Sequence, residues 1–155
     1  MNEQKPIISV MTTLGEKTID EILHDTAGNI HDAERYLQDL QIAARAIEEA
    51  GMYPSVPSEQ WQDREGSGKY LYMLFKTDRS GNYLGPDGAR KIYVGNKQEK
   101  IAAARRMAEN RDRYERITRC IDDLKSYMRR QKFNAQRLLI DVADYPRTTC
   151  TLGPA

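Results

Sequence analysis

Thirty-seven consecutive residues, Asn96 to Lys132, contain neither glycine nor proline. As one α-helix they span roughly 55 Å at 1.5 Å per residue, more than one side of a single small core can cover. Within the run, Tyr114, Ile117, Ile121, Leu124 and Met128 recur in steps of three and four, the spacing of one helical face. Ile101, Ala104 and Ala108 form an earlier seam slightly out of phase with them. Asn96 followed by Glu99 is the pattern of a capping box and marks the start.

A helix of this length needs a partner, and the N-terminal half supplies one. Ile30, Ala33, Leu37, Leu40, Ala44 and Ile47 alternate by three and four in a coiled-coil-like seam. Ile19, Ile22 and Leu23 precede it. Gly28-Asn29 interrupts the pattern, and Asn29 with Asp32 can cap a fresh helix, so the segment is one kinked helix or two in tandem. Gly51 stands where a helix stops.

Between the helices, Met52 to Gly68 has two prolines, two glycines and no period, and reads as a loop anchored on the core by Trp61. Lys69 to Lys76 (KYLYMLFK) and Arg90 to Gly95 (RKIYVG) are strands rich in aromatic and branched residues. The turn-rich TDRSGNYLGPDGA joins them as a long-tipped hairpin. The expected class is therefore α+β, mostly α: an antiparallel long-helix pair with a β-hairpin inserted between the helices. Residues 1–17 form an N-terminal arm whose IISVM is a short edge strand or a disordered segment. Residues 18–132 form the domain, and 133–155 a tail in which Leu138 to Val142 dock. A 39% hydrophobic share in 155 residues suits one modest domain.

No apolar run reaches the roughly 18 residues of a membrane span, and the first residues lack the order of a signal peptide. The expectation is a cytoplasmic protein without a membrane partner. Cys120 and Cys150 make no CxxC pair, so neither a disulfide framework nor a thiolate metal site is expected. His24 and His31 are seven apart, whereas chelation of one metal on a helix wants i and i+4. Asp78, Ser80 and Asn82 imitate the opening of a calcium loop, but Tyr83 stands where that loop needs glycine and Ala89 where it needs glutamate. Nucleophile-elbow, Walker and dinucleotide motifs are absent. No cofactor is expected, and the chain reads as non-enzymatic.

Charge carries the functional lean. Met1 to Gly66 holds 5 Lys+Arg against 13 Asp+Glu (5 − 13 = −8), and Ser67 to Ala155 holds 19 against 10 (19 − 10 = +9). Such asymmetry signals a nucleic-acid partner, or else an acidic half that lies against a basic one. On a helical wheel Arg105, Arg116, Arg119 and Arg130 fall within about 60° of one another, a guanidinium row suited to phosphates. Against this, Glu109, Asp112 and Glu115 each stand four residues before an arginine and dilute the field. Lys69, Lys76, Arg79, Arg90 and Lys91 add charge on the hairpin, while Trp61 and Tyr83 are the candidates for partner contact.

Lys69 to Ile117, with GKYLYMLFK, then ARKIYVGN, then a helix containing RRMAENRDRYERI, resembles the hairpin-plus-basic-helix modules of phage and mobile-element proteins, those associated with transposases and recombinases. In that group a Tyr-rich strand, a turn and a strand ending Tyr-Ile-Gly lead into a charged helix; here the ending is Tyr93-Val94-Gly95. The resemblance implies DNA handling. The expected function is a small nucleic-acid-binding protein, DNA ahead of RNA, working as a homodimer. The alternative is a protein-binding adaptor, or a phage-encoded inhibitor of a host nucleoprotein complex.

Overall fold

The computed structural model describes residues 7–26 and 29–144, side chains of 135–144 excepted. The chain is α+β, with two small antiparallel sheets and three α-helices among the described residues. Strands β1 (Ser9–Thr12) and β2 (Gly15–Thr18) form a tight hairpin. Helices α1 (Ile19–Thr26) and α2 (Ile30–Ala50) follow. Strands β3 (Ser58–Arg64), β4 (Gly68–Leu74) and β5 (Lys91–Gly95) make a meander in the order β3-β4-β5. Helix α3 (Gln98–Asp144) then runs for 47 residues, about 70 Å.

Local chemistry sets the breaks. The Asn29 side chain accepts from the amides of His31 at 3.0 Å and Asp32 at 3.4 Å, so α2 begins as a separate helix with two of its orphan donors satisfied. Gly51, at φ 93°, ends α2 by donating to the Ile47 and Glu48 carbonyls, a backbone conformation that favours glycine. The start of α3 falls later than Asn96 predicts: the first helical residue is Gln98, and the Lys97 carbonyl accepts from Ile101 at 3.0 Å.

Two separate cores share α3. In the first, Val10, Ile22, Ala33, Tyr36, Leu40, Ala44 and Ile47 meet Ile117, Cys120, Ile121 and Leu124 of α3. Tyr36, absent from the predicted seam, is among its largest buried side chains, and its hydroxyl donates to Asp25 at 3.2 Å. Contacts order the helices in reverse: Tyr114 donates to Glu48 at 2.7 Å, Asn110 donates to the Gly51 carbonyl at 2.9 Å, and Leu37 lies beside Met128. In the second core, Leu71, Met73, Phe75 and Val94 of the meander pack with Tyr53 on Ile101 and Ala104.

At 100° per residue the Ile101–Ala104–Ala108 seam points roughly 180° from the Ile117–Ile121–Leu124 seam. The phase difference is therefore half a turn rather than a slight slip, and it puts the meander and α2 on opposite sides of α3. The chain passes from one side to the other at Gly51–Tyr53, where the Tyr53 amide meets the Met107 carbonyl at 3.4 Å.

Three expectations are corrected. The expected loop, Met52 to Gly68, contains β3, paired residue for residue with β4 from Ser58↔Leu74 to Arg64↔Gly68, so the inserted unit is a three-stranded sheet and not a two-stranded hairpin. Trp61 is no core anchor: it lies on β3, 44% exposed. Helix α3 continues past Lys132 into the residues expected to form the tail. The side chains of Leu138 to Val142, expected to dock, lie outside the described residues, as does Cys150.

Candidate nucleic-acid interface

Strand β4 alternates between two environments. Leu71, Met73 and Phe75 enter the core against α3, so Tyr70, Tyr72 and Leu74 take the opposite, outer face. Cross-strand partners share a face, and Tyr72 is opposite Gln60 and Tyr93, Tyr70 opposite Gln62, and Leu74 opposite Lys91. Arg64 belongs to the same side, because its Nη2 donates to the Tyr72 hydroxyl at 3.0 Å. Alternation past Phe75 carries Lys76 there as well.

The rings and cations of this face are interlocked. Tyr93 stands 5.9 Å from Tyr70 and 5.3 Å from Tyr72, tilted against both. The Arg64 guanidinium lies 5.5 Å from the Tyr70 centroid and 5.9 Å from that of Tyr93; the Lys91 ammonium is 4.9 Å from Tyr72. Each such contact at an exposed site is worth about 0.5–1 kcal/mol. Under this cover Tyr72 is buried even though it faces outward. A register shift at Leu71/Tyr72, with Gly95 at φ 100°, bulges β5 and sets the Tyr93 ring beside Gly95.

Charge is sorted across the sheet. The outer positions 60, 62, 64, 70, 72, 74, 76, 91 and 93 include Arg64, Lys76 and Lys91 and no carboxylate. Both acids of β3 point the other way. Glu59 takes a two-pronged bond from Arg105, at 2.7 and 3.0 Å, which holds its carboxyl below the usual range, and Asp63 stands opposite Lys69.

The arginine row predicted on α3 does not form one open surface. Arg105 is held by Glu59. Arg116 is paired with Asp112 at 3.2 Å and is partly buried. Arg119 lines a cleft with Asp20, Asp123 and Cys120, and Arg130 is exposed, two residues past Met128, the last of the described α3 side chains that packs on the first core. Of the expected acid-first pairs, Asp112–Arg116 is present, whereas Glu115 binds Arg111 at 3.0 Å and Arg113 donates to the Ser9 carbonyl at 2.8 Å.

On the hairpin, Lys91 and Lys76 join the outer face, Lys69 takes the helix side, and Arg79 is exposed in the β4–β5 connection. Arg90 lies 6.0 Å from the Tyr83 ring, and Tyr83 bridges to Thr77. The Asp78 carboxylate accepts from the amides of Ser80 at 2.8 Å and Asn82 at 2.9 Å. Those amides, Asn82's foremost, hold its carboxyl below the usual range; the motif that imitated a cation loop closes a turn.

Sequence reasoning missed Gln60, Gln62 and Arg64. Their signal was the alternation in SEQWQDR, hidden because the helix-facing positions are Glu59, Trp61 and Asp63 rather than aliphatic residues.

Elsewhere, a cleft of about 530 Å³ lies between Ile7, Ser9, Val56 and Ala108, Glu109, Asp112, Arg113, and the Ser9 hydroxyl donates to Glu16 at 2.6 Å. No group of three His, Cys, Asp or Glu able to hold a metal occurs among the described residues, and no described helix is long and apolar enough to cross a membrane. Comparison with family models, curated proteins and solved structures returns no match.

Proposed function

We propose that this chain is a non-enzymatic nucleic-acid-binding protein whose contact surface is the outer face of the β3-β4-β5 sheet. The observation that carries the reading is the sorting of charge across that sheet: Arg64, Lys76 and Lys91 outward among tyrosines, with Glu59 and Asp63 turned toward α3. A carboxylate-free cationic face concentrates phosphate by simple attraction. Helices α2 and α3 act as the scaffold, and Arg105 and Arg113 of α3 tie that scaffold to β3 and β1 rather than to a ligand. The resemblance to phage and mobile-element modules points the same way.

Titration of fluorescent duplex and single-stranded oligonucleotides across a salt series tests the proposal. Affinity falls steeply with salt, and Lys91→Ala with Lys76→Ala lowers the slope on a duplex by roughly 0.9 for each phosphate no longer neutralised. Salt-insensitive or absent binding to every nucleic acid refutes it. The adaptor reading is favoured by a different feature, the exposed Met11 and Ile42, which line one groove; one host protein co-purifying in stoichiometric amount, with no nucleic acid bound, would establish it. Light scattering on the same sample tests the homodimer.

A further inference from the structure

Beside its cations, the outer face carries a row of side chains with paired hydrogen-bonding groups. The outward side chains of β3 are Gln60, Gln62 and Arg64. These are residue types whose paired hydrogen-bonding groups match purine edges in the major groove: glutamine with N6 and N7 of adenine, arginine with O6 and N7 of guanine. Alternate residues on a strand are about 6.8 Å apart, and a duplex rises about 3.4 Å per step along each strand. Successive outward side chains of β3 therefore keep step with every second base pair.

Position and order support the same role. β3 is an edge strand, so no described strand on its far side stands between it and a groove wall. Gln60 and Arg64 are exposed and Gln62 is partly so. Arg64 is already oriented: the Tyr72 hydroxyl takes one N–H of its fork, and the Tyr70 and Tyr93 rings flank the guanidinium. Less side-chain freedom then has to be given up on binding.

The same packing disfavours other nucleic acids. Single-strand binders offer a series of open aromatic faces on which successive bases stack, whereas here Tyr72 is buried, Tyr70 is half-buried and Tyr93 alone of the three is exposed. The major groove of A-form RNA is too deep and narrow for side chains to read.

Resting on the nucleic-acid reading above, we infer that the sheet enters the major groove of B-form DNA with β3 as its reading strand. Arg64 meets a guanine, Gln62 and Gln60 meet adenines at alternate base pairs, and Lys91 and Lys76 meet phosphates.

The experiment is selection of bound sites from a random duplex library by the full chain. Titration of Gln60→Ala/Gln62→Ala, Arg64→Lys and Lys91→Ala against the selected and a scrambled duplex follows, with circular dichroism confirming the fold of each. The selected sites share a guanine with adenines at two-base intervals. The glutamine double variant and Arg64→Lys each lose about tenfold or more on the selected site, with unchanged affinity for the scrambled one; Lys91→Ala weakens both equally. Salt-sensitive binding that ignores sequence, or prefers single strands or RNA, overturns the reading-strand inference and leaves the nucleic-acid proposal standing. Absence of salt-sensitive binding to any nucleic acid overturns both.

Discussion

At the scale of single residues, position matters more than residue type. Arg64 and Arg105 are both exposed arginines, yet one is braced on tyrosines at the outer face and the other is held in an ion pair behind it. Gly85 is constrained differently: a Cβ there would run into the Ala89 carbonyl and the Phe75 ring. Gly85→Ala is expected to destabilise the chain by about 1–3 kcal/mol, the usual cost of overpacking, read as a lower urea midpoint at unchanged slope. Cys120 is buried against Ile117 and Ile121, and burial pushes its thiol up to about 11. It should resist alkylation in the native state at pH 8 and react at the rate at which the first core opens. Because the proton is held more tightly in the folded chain, stability contributed by this group is intact below the ordinary thiol range. It declines as pH rises from that range toward 11, which pH-dependent denaturation of wild type against Cys120→Ala would resolve.

At the scale of elements, α3 serves two packing partners by turning one face to each. Leu71→Ala in the sheet core and Leu124→Ala in the helical core should each cost about 2–5 kcal/mol, both residues being fully buried. Since the clusters share no residue, the double variant should equal the sum to within about 0.5 kcal/mol; a larger coupling in a denaturation cycle would show the cores to be one. The elements differ in how plainly the sequence announced them. Helix α3 was legible because nothing breaks it, and α2 because Asn29 and Gly51 punctuate it. The half-turn between the α3 seams was present in the spacing of Ile101, Ala104 and Ile117, but appears only when angles are followed along the whole helix. Strand β3 was not legible: an edge strand wet on both faces carries no apolar period, and its identity comes from pairing with β4. The candidate surface was half legible for the same reason. Lys91 and the tyrosines lie on strands with their own signal, whereas Arg64 depends on a partner strand to aim it.

At the scale of the whole molecule, the acidic and basic parts do not simply cancel. Helices α1 and α2 hold eight Asp and Glu against two Arg, 2 − 8 = −6, and they lie across α3 from the sheet. With an overall charge of only +1, the chain is close to neutral, yet its acidic helices and the cations of the outer sheet face stand on opposite sides of α3. In the field of a polyanion a body of this kind experiences torque before it experiences contact. Within about 8–10 Å, the screening distance at physiological salt, it turns its tyrosine face forward and its acidic helices away. On the proposed reading, productive encounters then make up a larger share of collisions than chance orientation allows, so the orienting field acts mainly on the association rate.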